Sequence, residues 1–269
     1  MVKIVIPKEI KEVLDKILEN GFEAYLVGGA VRDYMLHRRS NDFDIATNAL
    51  PADIIKIFGP SYKTIQYGCY NMRIGSYNVD ITTYRKEEAY EGRNPSKITY
   101  TNNLLLDAER RDFTINAFYM NRNEEIIDLY DGQKDIKRKM IRAIGNPTTR
   151  VREDPLRILR AVRFASIYKF SLEKNLANAI KRDKKMLNEL SLTRIKKELD
   201  GILLANGFTL LRQLNLLKEL QITTKSIVYV NDLSGLWAQI KTEVEYPQTK
   251  SLKMRQKNIE ELLKCDTIN

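Results

Sequence analysis

Apolar residues Ile10, Val13, Leu14, Ile17 and Leu18 recur at helical spacing over 7–20, and Gly21 supplies a stop, so the chain opens with an amphipathic helix. A short strand at 24–27 follows and breaks at Gly28 and Gly29. Residues 30–37 read as a second helix, and alternating polar and apolar positions make 42–46 another strand. After a helix at 51–58, three β-rich runs at 62–67, 70–75 and 78–84 predict an antiparallel meander that closes a small sheet. This opening is of the α+β class.

Residues 85–103 are charged and turn-rich (Lys86, Glu87, Glu88, Glu91, Gly92, Arg93, Asn94, Pro95) without clear periodicity, and the expectation there is a mobile loop. Helical spacing resumes from Arg111, then a brief strand pair is expected at 126–129 and 140–143, before the break Gly145-Asn146-Pro147. Beyond it Leu156, Leu159, Val162 and Phe164, then Leu176 and Ile180, then Leu192, Ile195, Leu199, Ile202 and Leu203 mark successive helices. The predicted organisation is an α+β domain over 1–146 and a helical region over 147–269. Residues 227–230 fit a strand or a helix, and 251–264 fit a final helix.

The 269 residues hold 45 Lys and Arg against 35 Asp and Glu, a formal charge of +10 that suits a polyanionic partner. Charge alone does not choose between RNA, DNA and an acidic membrane. Two cysteines, Cys69 and Cys265, and one histidine, His37, exclude a disulfide framework and a Cys/His zinc site. No stretch approaches the roughly 20 apolar residues of a membrane span, and Met1 to Pro7 is too short for a signal-peptide core, so a cytoplasmic, membrane-free location is expected. His37 is expected at a surface helix end and Trp237 in the core; Tyr67, Tyr70, Tyr77 and Tyr84 at strand spacing read as packing. Nothing fixes the oligomeric state.

The sharpest local signal is Gly28-Gly29-Ala30-Val31-Arg32-Asp33, followed shortly by Asp42-Phe43-Asp44. Glycines at a strand end let backbone N–H groups approach a phosphate, the next helix turns its positive end toward it, and Arg32 adds a charge-assisted donor. The same glycines also serve a plain turn. Asp42 and Asp44, two apart on a strand, point to one face with Cα atoms roughly 6–7 Å apart, a span at which hard oxygen ligands can bracket Mg2+; the plain alternative is a pair of solvated edge residues. Asp80, between Val79 and Ile81, completes the cluster if its strand lies beside the first. Three carboxylates and a phosphate seat would support two-metal nucleotidyl transfer.

These segments, with Arg110-Arg111-Asp112-Phe113-Thr114-Ile115-Asn116-Ala117 and with Arg152-Glu153-Asp154-Pro155-Leu156-Arg157-Ile158-Leu159-Arg160-Ala161-Val162-Arg163-Phe164, resemble the class II tRNA nucleotidyltransferase and poly(A) polymerase family. The resemblance runs over about residues 20–205. It implies an N-terminal nucleotidyltransferase domain of the polymerase-beta-like kind with a small mixed sheet, followed by an all-helical domain. It implies that Gly28, Gly29 and Arg32 contact the incoming nucleotide, that Asp42 and Asp44 hold catalytic Mg2+, and that Arg111, with Asp112 and Asn116 nearby, binds the sugar and phosphates. Family members often carry Glu in the strand of Asp80, so the resemblance gives Asp80 no fixed role. On the fourth motif, expected as a helix with a polar stripe opposite Leu156, Leu159 and Val162, the resemblance makes Asp154 and Arg157 a template for the base. Glu153 would orient Arg157, and Arg160 and Arg163 would help hold the nucleotide.

The chemistry of such a template follows from the bases. Cytosine and adenine each present an exocyclic amino donor beside an unprotonated ring nitrogen, which an acceptor Asp and a donor Arg complement. Guanine and uracil present the reverse and would leave buried polar groups unpaired. CTP and ATP are therefore the expected substrates, and the 3′ end of tRNA the expected acceptor. The resemblance further makes 85–103 a segment that helps the pocket change from C to A, and 191–198 a helix that supports the template or, equally, an ordinary charged amphipathic helix. Poly(A) polymerase, a CC- or A-only enzyme, and a non-catalytic RNA-binding protein are the rival readings. Many relatives continue well past residue 269 with further helical domains.

Overall fold

A computed structural model describes residues 6–60, 68–91 and 94–247. The chain divides into two compact units, Met1–Arg138 with Arg142–Gly145, and Lys139–Ile141 with Asn146–Asn269. The predicted elements at 62–67 and 251–264, together with Tyr67 and Cys265, lie outside the described residues.

The first unit begins with helix α1 (Lys8–Glu19), whose Ile10, Val13, Leu14 and Ile17 are all buried. Each such side chain contributes roughly 1.5–3 kcal/mol by leaving water, which is why the helix seats against the sheet on that one stripe. Strand β1 (Ala24–Val27), helix α2 (Gly29–Met35), strand β2 (Asp42–Thr47) and helix α3 (Pro51–Phe58, with Pro at its first position) follow. Strands β3 (Cys69–Ile74) and β4 (Tyr77–Thr83) form a hairpin. Beyond strands β5 (Arg85–Glu91) and β6 (Asn94–Tyr100) come helix α4 (Leu104–Glu109), strands β7 (Phe118–Met120) and β8 (Ile126–Asp128) and helix α5 (Gly132–Lys137). The main sheet has the order β3-β4-β2-β1-β7-β8, antiparallel throughout except that β2 and β4 run parallel. It is a small mixed sheet, as expected, rather than a pure meander.

Three local expectations are corrected. Residues 85–103 are not a structureless loop: β5 and β6 pair as a separate antiparallel hairpin. Its alternation is one of charge sign rather than hydropathy. Lys86, Glu88 and Lys97 pair on one face, and Arg85 and Glu87 pair on the other. No helix starts at Arg111; α4 ends before it and only a 3-10 turn, Thr114–Asn116, follows. The cause is local, because the Asp112 carboxylate accepts the Phe113 backbone N–H at 2.8 Å, a donor a helix would use, and also holds the Asn116 side-chain amide at 2.9 Å. Finally, the strand at 140–143 does not pair with β8, whose partner is β7.

In the second unit strand β9 (Met140–Ile141) pairs in parallel with β10 (Ser171–Leu172). The helices are α6 (Pro147–Glu153), α7 (Leu156–Tyr168), α8 (Lys174–Asp183), α9 (Leu192–Leu204), α10 (Phe208–Gln213) and α11 (Leu233–Ala238). Helices α7 and α9 pack together, and Gly201 permits it: a Cβ there would stand 2.6 Å from Arg163 Cδ. Trp237 is fully buried and donates to Asp200 at 2.7 Å, a core residue as expected. Residues 227–230 take neither strand nor helix form. Among the described residues no helix is long and apolar enough to cross a membrane.

Candidate functional site

In the first unit the site is built around the end of β1. Val27 pairs with Asp44 on one side and with Tyr119 on the other, so this strand end lies between β2 and β7. The next residue, Gly28, has φ +68°, a region that side-chain-bearing residues avoid. A Cβ on Gly28 would stand 3.2 Å from Asp44 Oδ2 and 3.6 Å from Arg111 Nη1. Gly28, Asp44 and Arg111, far apart in sequence, therefore converge on one point. At seven residues α2 carries little macrodipole, so the positive character here rests mainly on guanidinium groups.

Along β2 the exposure alternates: Asp42 and Asp44 are open to solvent while Phe43 and Ile45 are buried. Packing of the apolar pair thus turns both carboxylates to the solvent face. Asp80 lies beside Asp44 in the parallel register of β4. Asn78 donates to Asp42 at 2.7 Å, and Asn71 donates to Asp80 at 2.5 Å. Crowding by the surrounding protein pushes the Asp44 carboxyl above its ordinary range; Arg111 opposes this, and Asp80 and Asp42 reinforce it.

A bound cation would relieve that mutual repulsion, and the donors are all hard oxygens, which suits Mg2+. Among the described residues no group of three or more His, Cys, Asp or Glu side chains is arranged to hold a metal ion alone. Two carboxylates completed by substrate oxygens are the arrangement that Mg2+ commonly accepts.

Arg32 is buried, with Nη1 donating to Asn116 Oδ1 at 2.5 Å and Nε to Asp33 at 3.1 Å. Asn116 in turn donates to Asp112. Arg111 Nη1 reaches the Asn116 carbonyl at 3.4 Å, so Arg32, Arg111, Asp112 and Asn116 form one connected group. Arg111 also lies over the Tyr119 ring, 5.1 Å from its centroid, donates to the Tyr119 hydroxyl at 3.2 Å and pairs with Asp107 at 3.2 Å. Burial works against the Arg111 charge, but Tyr119 and Asp107 outweigh it and raise its pKa. Sequence reasoning passed over Asp107 and Tyr119. The signal for Asp107 is its position four residues before Arg111; Tyr119 carries none beyond an apolar strand.

In the second unit Asp154 is not on a helix. It sits between α6 and α7 with φ −142° and accepts the Leu156 N–H at 3.1 Å, so it caps the start of α7. Pro155 forces the break, since it disfavours helical backbone at the residue before it. Glu153 Oε2 accepts from Arg150 at 2.5 Å and from Arg157 at 2.9 Å, and Arg157 Nη1 also reaches the Arg150 carbonyl at 2.9 Å. Asp154 and Arg157 are 8% and 6% exposed, so Arg157 does not belong to a solvated stripe. Arg160 and Arg163 both lie over the Phe164 ring, and Arg163 pairs with the buried Glu198 of α9 at 2.6 Å.

Residues 24–142 match the poly A polymerase head domain. The CCA-adding enzyme of Lactobacillus delbrueckii subsp. bulgaricus is 48% identical over 188 residues, 69% of this chain and 48% of that protein. The CCA-adding enzyme of Limosilactobacillus reuteri is 42% identical over 199 residues, 73% of this chain and 49% of that protein. Among solved structures, the Bacillus stearothermophilus CCA-adding enzyme in complex with CTP superimposes with a TM-score of 0.72 at 33% identity, covering 79% of this chain and 53% of that one. A tRNA nucleotidyltransferase complexed with a primer tRNA and an incoming ATP analog gives 0.64 at 27% identity, over 85% and 66% of the two chains. The chain spans about half the length of the curated relatives it matches. The convergence of Gly28, Asp44 and Arg111 thus falls inside the segment, 24–142, that matches the poly A polymerase head domain, and the relatives named here are CCA-adding enzymes.

Proposed function

We propose that this protein adds the nucleotides C, C and A to the 3′ end of tRNA, using CTP and ATP without a nucleic-acid template and releasing pyrophosphate. The observation that carries the reading is the exposed Asp42–Asp44 pair on β2, with Asp44 Oδ2 and Arg111 Nη1 both close to the position a Gly28 Cβ would take. It is supported by relatives whose structures hold CTP, or a primer tRNA and an ATP analog. The RNA 3′-hydroxyl oxygen bonds to the α-phosphorus while the bond from that phosphorus to the β-phosphate bridging oxygen breaks. Asp42 and Asp44 would hold Mg2+, which when bound lowers the pKa of the attacking hydroxyl and offsets charge on the departing pyrophosphate.

The chain's own groups do the rest. Gly28, without a side chain, leaves the triphosphate room to approach the backbone. Arg111 presents a guanidinium of fixed orientation to the sugar and phosphates, and Arg32 braces Asn116 behind it. Asp154 accepts from the amino group of cytosine or adenine, and Arg157, steadied by Glu153, donates to the adjacent ring nitrogen. Location in the cytoplasm, where tRNA is processed, goes with this role.

The test is to supply the purified protein with a tRNA lacking its CCA end and each nucleotide in turn, and to sequence the product ends. Addition of C, C and A that stops there is expected, and its loss on combined Asp42→Ala and Asp44→Ala replacement. An open-ended A tail without C would overturn the reading in favour of poly(A) synthesis. Salt-sensitive RNA binding with no incorporation under any metal would overturn it in favour of a binding protein.

A further inference from the structure

Asp107, on α4, has no part in the chemistry above, yet it is fully shielded from solvent and pairs with two guanidinium groups. Its two oxygens serve different neighbours. Oδ2 pairs with Arg111 Nη2 at 3.2 Å and accepts the Tyr119 hydroxyl at 2.7 Å. Oδ1 accepts from Arg110 Nε at 2.8 Å and from the backbone N–H of Arg85 at 3.4 Å. Arg110 reaches Glu87 of β5 at 3.4 Å, and Arg85 binds the same Glu87 oxygen at 2.7 Å. A continuous ionic chain, Glu87 to Arg110 to Asp107 to Arg111, thus runs from the β5–β6 hairpin to the guanidinium that lies near Gly28.

A buried carboxylate is costly unless several partners repay its lost hydration, and an apolar residue usually serves stability as well. What an apolar residue cannot do is compete for Arg111. Arg111 Nη1 and Asp44 Oδ2 both lie within 4 Å of the position a Gly28 Cβ would take. With no counter-anion behind it, the Arg111 guanidinium would turn to Asp44, the carboxylate needed for the cation, and its donors would be lost to the nucleotide.

We propose that Asp107 is a positioning residue for the nucleotide step: it holds Arg111 toward the incoming sugar and phosphates and away from Asp44, with Glu87 and Arg110 tying the hairpin to that setting. The inference rests on the proposed role of Arg111 as a nucleotide ligand. The experiment measures equilibrium CTP binding and melting temperature of the full chain carrying Asp107→Asn, Arg111→Gln, the two together, and Glu87→Gln. Asp107→Asn is expected to weaken CTP binding about tenfold, as loss of one charge-assisted contact does. The double variant is expected to bind no worse than Arg111→Gln, because Asp107 acts only through Arg111. Glu87→Gln is expected to weaken binding about threefold, again only when Arg111 is present.

CTP binding by Asp107→Asn within about twofold of the parent, or losses that multiply in the double variant, would overturn the proposal. Unchanged binding by Glu87→Gln would overturn the link to the hairpin. If Asp107→Asn does not fold, Tyr119→Phe decides, since the hydroxyl it removes contacts both Asp107 and Arg111; no change in CTP binding then refutes the positioning role. Undiminished CTP binding by Arg111→Gln is a separate outcome, which refutes the reading of Arg111 itself.

Discussion

Replacing Gly28 by Ala adds one methyl group where β1 gives way to α2. Two costs can be worked from the structure. Backbone at φ +68° and ψ −130° is held by residues other than glycine at a cost of roughly 1–3 kcal/mol. The new Cβ would stand 3.2 Å from Asp44 Oδ2, closer than ordinary contact, so Asp44 must shift by a few tenths of an ångström, whereas the 3.6 Å to Arg111 Nη1 is unstrained. Each kcal/mol should lower the melting temperature by about 2–4 °C in a domain of this size. The effect on chemistry should be much larger, because the methyl group would occupy the proposed approach of the triphosphate and displace a carboxylate proposed to hold Mg2+; a loss of about 100-fold is expected. Calorimetry gives the first quantity, and single-turnover incorporation of labelled CMP well below the melting temperature gives the second. A variant that melts several degrees lower but incorporates CMP within twofold of the parent would refute the phosphate-seat argument and leave Gly28 as a turn residue only.

Other substitutions probe the surrounding electrostatics and packing. Asp44→Asn should abolish incorporation yet raise the melting temperature at neutral pH. The folded carboxyl titrates above its unfolded value, so ionising it costs stability as pH rises through the folded pKa, and the gap between variant and parent should widen from acid to neutral pH. Asp107 behaves oppositely. Burial alone would raise its pKa, but Arg110, Arg111 and the Tyr119 hydroxyl outweigh burial and hold it at about 2. Its contribution, about 2 kcal/mol, is present above the ordinary carboxylate pKa and disappears as pH falls toward the folded value. Urea midpoints between about pH 4 and pH 2 should therefore fall more steeply for the parent than for Asp107→Asn, and parallel slopes would contradict the assignment. Gly201→Ala should cost roughly 1–3 kcal/mol by overpacking, since its Cβ would meet Arg163 Cδ at 2.6 Å and press it away from Glu198. An unchanged denaturant midpoint would show a looser α7–α9 contact.

What the sequence made legible was local. Gly28, the Asp42-x-Asp44 alternation and the apolar stripe of α1 each follow from backbone periodicity, and the structure places all three as those periods require. The adjacency of β2 and β4 was foreseen only as a condition and its parallel sense not at all, because pairing between distant strands leaves no short-range trace. The β5–β6 hairpin was hidden because both of its faces carry basic–acidic pairs, which leaves no alternation of hydropathy to read. Asp154 was misplaced onto a helix although Pro155 marks a break there. Asp107 and Tyr119 were invisible for a different reason: their importance lies in a buried network that no spacing rule encodes.

The central claim is that amino-acid side chains, with no nucleic-acid template, decide which monomer is joined to the RNA. The most direct measurement offers CTP, ATP, GTP and UTP together, at equal concentration, to the protein and a tRNA ending before its CCA, and counts each nucleotide in the products. Incorporation of C and A with G and U close to background is the predicted result. G or U entering as readily as C or A would contradict the account.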